Sequence, residues 1–338
     1  MGLVVAVDAM GGDHGPTVVI PAAIDFVRGH PDVRLVLVGD EATVRALLPA
    51  DAARLPLDVQ HASQVVDMDE APAKALRNKK DSSMRVAIDL VAAGRAQACV
   101  SAGNTGALMA TARFVLHMLP GIERPAIVRA LPTLRGETYV LDLGANTECS
   151  AEQLCEFAVM GAVLVEALGK RRNPSVGLLN IGSEATKGTD TVQRAAELIR
   201  DSGLNFHGYV EGDDIYAGTT DVVVCDGFVG NVALKTSEGL ARMINEFLRE
   251  EFTRSPWRRL GALASLPALR ALRKRLDPRA YNGASLLGLP APVIKSHGGA
   301  DAVGFAQAIA EAAAQASADV PRRIGERLAD FQPQALTA

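Results

Sequence analysis

A chain of 338 residues, 48% of them hydrophobic and only 4% aromatic, carries enough apolar side chain for a large core, which excludes a disordered polymer or a disulfide-stapled miniprotein. The net charge of −4 excludes a generally basic, nucleic-acid-coating protein. Its charge is sorted: residues 254–279 hold eight bases against one acid, Asp277, a net +7 that leaves −11 for the remainder.

In chain order, "LVVAVDA" (3–9), "VRLVLVGD" (33–40), "QACVSAG" (97–103), "TYVLDLGAN" (138–146), "SVGLLNIGS" (175–183), "DVVVCDGF" (221–228) and "APVIKSHG" (291–298) read as buried strands. Between them "MRVAIDLVAAGRA" (84–96), "QLCEFAVMGAVLVEALG" (153–169) and "TVQRAAELIRDSG" (191–203) carry apolar residues at helical spacing. Such alternation predicts an α/β fold, a doubly wound and mostly parallel sheet with helices on both faces. No Pro/Ser linker or low-complexity tract divides the chain, so one α/β domain over 1–338 is expected. Residues 255–278 break the rhythm with two short basic amphipathic helices interrupted at Pro267. Trp257, Leu260 and Ala264 share a face of the first, and Leu269, Leu272 and Leu276 a face of the second.

The four cysteines form no C-x-x-C pair and no zinc spacing, so reduced and mostly buried thiols are expected. No apolar stretch reaches the ~18 residues of a membrane span. The N-terminus lacks a signal-peptide pattern. A cytoplasmic chain that at most lies on a membrane is the expectation.

The strand ends share a style. "DAMGGDH" (8–14), "SAGNTGA" (101–107), "DLGAN" (142–146), "NIGSEATKGTD" (180–190), "DGFVGNVALK" (226–235) and "KSHGG" (295–299) each set glycine beside small polar groups where a strand stops. Glycine lets backbone N–H groups converge on a ligand, and a following helix N-terminus favours an anion. In an open parallel sheet ligands bind beyond the carboxyl ends of strands. Six such turns on one edge are therefore expected to form an anion cradle, although any one of them is more often a plain connection or an N-cap. No G-x-G-x-x-G follows a strand, and "GSEATKGT" (182–189) reverses the Gly-Lys of a P-loop. Lys187 still supplies a cation beside its turn, suited to inorganic phosphate or a carboxylate. No G-x-S-x-G elbow is present, and His14 and His297 are the histidines on the proposed edge.

Together "VAVDAMGGDHGP", "RNKKDSSM" (77–84), "SAGNTGALM", "DLGAN", "GLLNIGSEATKGT", "DGFVGNVALK" and "NGASLLGLPAPVIKSHG" (282–298) resemble the PlsX family of bacterial phosphate acyltransferases, in order from the first strand to about residue 310. The resemblance implies a three-layer α/β/α fold related to phosphotransacetylases and isocitrate/isopropylmalate dehydrogenases, working as a homodimer. It implies transfer of a long-chain acyl group from acyl carrier protein to inorganic phosphate. The acyl phosphate then feeds a membrane glycerol-3-phosphate acyltransferase in phospholipid synthesis. Neither a metal nor an organic cofactor is implied.

On this reading Lys187, with the backbone of Gly188, holds phosphate and Asn231 donates to the oxyanion. Asn104, Thr105, Gly106, Asp226, Gly227, Gly230, His14 and His297 form the surrounding substrate-binding set. Phosphate is itself the nucleophile, which accounts for the missing serine or cysteine. Trp257, Arg258, Arg259, Leu269, Leu272 and Arg273 are expected to contact anionic membrane or the acidic carrier protein, unless the pair is a dimer-interface hairpin. Two other readings compete: a metal-dependent NAD(P) decarboxylating dehydrogenase of the same fold, and a non-catalytic membrane scaffold.

Overall fold

A computed structural model describes residues 2–275 and 277–331, without the side chains of Arg273, Lys274 and Phe331. The first half of the chain contains β1 (Leu3–Asp8), α1 (Pro16–Gly29), β2 (Val33–Gly39), α2 (Glu41–Leu47), β3 (Leu57–His61), α3 (Pro72–Asn78), α4 (Ser83–Ala92), β4 (Ala98–Ser101), α5 (Thr105–Leu116), β5 (Ala126–Thr133) and β6 (Gly136–Leu141). It continues with α6 (Ala151–Ala167), β7 (Ser175–Leu179), α7 (Asp190–Asp201), β8 (Asn205–Val210), α8 (Asp214–Ala217), β9 (Val222–Val224) and α9 (Gly227–Thr253). Then follow α10 (Pro256–Ala264), α11 (Leu266–Arg275), β10 (Ala284–Leu287), β11 (Val293–Lys295), α12 (Ala302–Ser317) and α13 (Val320–Phe331).

The strands form a single 11-stranded sheet in the order β3-β2-β1-β4-β11-β10-β5-β6-β9-β7-β8. Most neighbours are parallel, but β10 is antiparallel to β11 and to β5, and β5 is antiparallel to β6. Consequently β3, β2, β1, β4, β11 and β5 point one way, and β10, β6, β9, β7 and β8 the other.

This overturns the expectation that six glycine-rich turns share an edge. The turns after β1, β4 and β11 lie at one end of the sheet, and those after β6, β7 and β9 at the opposite end. The reversal comes from the hairpins β5–β6 and β10–β11 in mid-sheet, and a short apolar run carries no mark of its direction.

Alternate side chains of each strand enter opposite layers. On one face Cys99, Ile127, Val140, Val223, Leu286 and Val293 are buried with Met84 and Ile88 of α4, Leu108 of α5 and Leu234 of α9. The other face carries α1 and α12 over the β1–β4 half, and α6, α7 and α13 over the β6–β9 half. α6 begins with a capping box, Ser150 and Gln153 each closing the other's backbone, and buries Phe157 and Met160 completely. Each such side chain contributes roughly 1.5–3 kcal/mol. The result is the three-layer α/β/α arrangement.

All four cysteines are free, and three of them are buried. Among the described residues no helix is long and apolar enough to cross a membrane.

α9 is the outlier. Its 27 residues make a rod of about 40 Å, yet only Gly227 and Gly230 are buried along it. Leu240, Met243, Ile244, Phe247 and Leu248 form an exposed stripe on its outer part, followed on α10 and α11 by Trp257, Leu260, Leu263 and Leu272. The expected helical pair is present, but the break falls at Ser265, and Pro267 opens the second helix instead of closing the first. α10 buries none of its residues. The side chain of Arg273 and the whole of Leu276 lie outside the described residues.

Candidate active site

At the end of β6 the chain turns around Asp142, which is fully buried. Its carboxylate accepts from the backbone N–H groups of Ile127, Gly144, Ala145 and Asn146 and from the Asn146 side-chain amide, at 2.7–3.2 Å. Every lone-pair direction is thus taken, and Asp142 serves as the anchor of the "DLGAN" turn. Burial raises its pKa and these donors hold it back.

α9 is docked on that turn through its glycines. The Gly227 N–H donates to the Asn146 carbonyl at 2.7 Å. A Cβ at Gly230 would lie 1.9 Å from the Asp142 carbonyl oxygen. Asp226 caps the helix, accepting from the Val229 N–H at 2.8 Å.

This docking sets Asn231 over Gly144, with atoms of its side chain 3.5–3.6 Å from where a Gly144 Cβ would be. Gly144 has φ +125°, which a side chain would strain. Among the described residues the Asn231 amide makes no hydrogen bond.

β7 lies beside β9, so its following loop joins the same end of the sheet. Asn180 holds this loop by donating to the Lys187 carbonyl at 3.2 Å, and Gly188 turns it at φ +92°. The Lys187 ammonium is exposed and has no ion-pair partner among the described residues. No direct bond joins it to Asn231.

Cys149 and Cys225 sit nearby, but burial, with Asp142 and Asp226 beside both, pushes their thiols up. Neither is poised as a thiolate nucleophile.

At the opposite end of the sheet Asp8, Ser101 and Lys295 close β1, β4 and β11. Asp8 is buried; it accepts from Ser101 Oγ at 2.6 Å and from the N–H groups of Met10 and Gly11. Asn104 caps α5, accepting from the Ala107 N–H, and its amide donates to the carbonyls of Met68 (2.7 Å) and Glu70 (3.1 Å). Lys79 holds the same segment through Glu70 (2.6 Å) and Asp67 (3.0 Å). Gly106 admits Pro72, whose Cγ would lie 2.8 Å from a Cβ there, and Thr105 opens the helix. Exposed His14 shows no side-chain hydrogen bond among the described residues.

The expected site residues therefore fall into two groups. Lys187, Gly188, Asp226, Gly227, Gly230 and Asn231 gather at one end, and His14, Asn104, Thr105, Gly106 and His297 at the other. α9 links the ends, because Asn231, Lys235 and Glu238 share one of its faces. Lys235 and Arg129 both pair with Glu238. Sequence reasoning passed over Lys235, Lys295 and Arg129, although two of them stand within the "NVALK" and "KSHG" stretches it quoted.

A family profile described as "Fatty acid synthesis protein" matches residues 3–323. The phosphate acyltransferase of Chromobacterium violaceum is 61% identical over 331 residues, covering 97% of this chain and 96% of that protein. The chain belongs to the phosphate acyltransferase family. Its activity is acyl transfer to phosphate in fatty acid and phospholipid synthesis, which disfavours the dehydrogenase and scaffold readings. The phosphate acyltransferase of Methylococcus capsulatus is 60% identical over 328 residues, 96% of this chain and 97% of that one. In fold the chain is similar to a phosphotransacetylase from Streptococcus pyogenes, with a TM-score of 0.62 and 18% identity over 94% of each chain.

Proposed function

We propose that inorganic phosphate attacks the thioester of a long-chain acyl-[acyl-carrier protein] directly, on a single catalytic domain. The observation that carries this is a free ammonium, Lys187, and a free amide, Asn231, at one end of the sheet, beside thiols that burial keeps protonated. Lys187 and the Gly188 backbone hold the phosphate, whose second ionisation near neutral pH makes it nucleophilic without a strong base. Holding it against the carbonyl supplies several kcal/mol by positioning. The phosphate oxygen bonds to the carbonyl carbon, and the Asn231 amide donates to the oxyanion, worth about 3 kcal/mol. Collapse expels the carrier's thiolate and leaves acyl phosphate. Exposed Phe228, Val229, Val232 and Ile181 give the apolar surface an acyl chain needs beside the site. Asn104 acts as a positioning residue for Thr105 and Gly106, and Asp226 for the start of α9. His14 and His297 contribute as binding groups.

The experiment is to incubate the protein with palmitoyl-carrier protein and phosphate and trap acyl phosphate with hydroxylamine. Hydroxamate above the level that hydroxylamine draws from the thioester alone is expected only when phosphate and the thioester are both present with the protein, and the absence of that excess defeats the reading.

The outer stripe of α9 fits a second copy of the chain, giving a homodimer. α10 and α11, with Trp257 81% exposed and Arg258, Arg259, Leu269 and Leu272 on the same two helices, lie on anionic lipid. Each base near that surface contributes about 1 kcal/mol. There the insoluble product reaches a membrane glycerol-3-phosphate acyltransferase. Changing Trp257 and Leu260 to Glu should abolish flotation with phosphatidylglycerol vesicles; undiminished flotation rejects the lipid role.

A further inference from the structure

Lys295 is an unusual lysine. It closes β11 between buried neighbours, and its ammonium donates to the carbonyls of Ala102 (3.2 Å) and Ser296. The third proton has no acceptor, and no carboxylate lies within ion-pairing distance of it among the described residues. A largely buried cation without an anion is costly unless a ligand supplies one.

The surroundings are built to hold it. Asn282, itself buried, accepts from the His297 N–H at 3.0 Å and donates to Ser296 Oγ (2.8 Å) and the Gly304 carbonyl (2.7 Å), fixing the "KSHG" turn. The His297 ring accepts from the Gly299 N–H through Nδ1 at 3.1 Å. The neutral ring therefore carries its proton on Nε2, which is left as a donor. Burial above all, then the charges of Lys295, Lys235 and Arg129, holds that ring's pKa down, while Glu238 opposes them. Glu238 is shared by Lys235 (3.0 Å) and Arg129 (3.5 Å), so this trio keeps a net positive charge. The remaining acids are Asp8, engaged as described, and exposed Asp13, whose N–H donates to the Gly298 carbonyl.

We propose that Lys295, Lys235 and the Nε2–H of His297 form a second phosphate seat, distinct from Lys187, for a phosphate group of a substrate. Lys235 stands one turn beyond Asn231 on the same face of α9, about 6 Å along the axis, so the seat opens toward the reacting centre. The reaction brings two such groups: free orthophosphate, and the phosphodiester of the prosthetic arm that bears the thioester. The second source rests on the carrier-protein reading above.

The test is Lys295→Met, with Lys295→Arg as the charge-keeping control. In Lys295→Met one KM should rise at least tenfold with kcat changed far less, and Lys295→Arg should recover part of the loss. A rise in the KM for orthophosphate alone assigns the seat to the nucleophile. A rise for palmitoyl-carrier protein, but not for palmitoyl-pantetheine, which lacks the phosphate, assigns it to the arm. Both KM values at wild-type level in a variant of unchanged melting temperature overturn the seat.

Calorimetry with inorganic phosphate and with phosphopantetheine reads the seat without turnover. A wild type that binds either through Lys295 yet forms no acyl phosphate would sink the proposed reaction and keep the seat. Burial pulls the Lys295 ammonium down to about 8, opposed by Asp13 and Asp8 and reinforced by Lys235. Deprotonation removes the positive charge, so affinity should fall between about pH 7 and 9 in the wild type relative to Lys295→Arg, which stays charged.

Discussion

Asn231→Ala and Lys187→Ala each lower turnover at least about a hundredfold while leaving the melting temperature close to that of the wild type. The magnitude is that of losing one preorganised donor to a developing oxyanion, or one cation that positions the attacking anion. The stability half of the expectation follows from exposure. Both side chains are exposed and neither makes a hydrogen bond or ion pair with the described residues, so truncation removes no packing. The two variants separate by parameter. Asn231→Ala should lower kcat at saturating substrates, and Lys187→Ala should also raise the KM for phosphate. Near-wild-type rates in both variants would discard the assignment.

Gly230→Ala destabilises the protein by more than about 3 kcal/mol, the upper range for forcing a methyl into a closed space. The new Cβ would meet the Asp142 carbonyl oxygen at 1.9 Å and Cys225 Sγ at 2.9 Å. Backbone cannot rotate aside as a side chain can. α9 must lift away from the "DLGAN" turn, and Asn231, the next residue, moves with it. Turnover should therefore fall together with the melting temperature, unlike the Asn231 variant, where only turnover falls. A Gly230→Ala protein that melts and turns over like the wild type would show that the start of α9 is not held against that turn.

Much of this fold is legible in the residues, for reasons that differ between elements. β1, β2 and β9 announce themselves as β-branched runs because both faces of a central strand are buried. α6 is visible through its apolar period and the Ser-x-x-Gln start. β5 and β10 escaped notice because polar and small residues interrupt them, and with them went the direction of half the sheet. Asp142 shows the limit on the chemical side: an acid in a glycine-rich turn reads equally as a helix cap, a group that orients a nearby cation or a ligand for a divalent ion, and only the five donors around it reveal an anchor. Lys295 was hidden for the opposite reason. A lysine ending a strand reads as solvated, and its burial is decided by residues far away in sequence, at 102 and 282.

α9 has a consequence for how the molecule breathes. A helix that buries two glycines and almost no side chain draws little stability from its own subunit, since packing of an apolar face supplies most helical stability in proteins. In the homodimer proposed above, its amide hydrogens beyond about residue 240 should exchange with deuterium rapidly when the protein is diluted to single chains, and slowly when it is concentrated. The first two turns, clamped on residues 142–146, should stay protected throughout. The exchange rate of the outer segment thereby becomes a gauge of self-association, read one peptide group at a time.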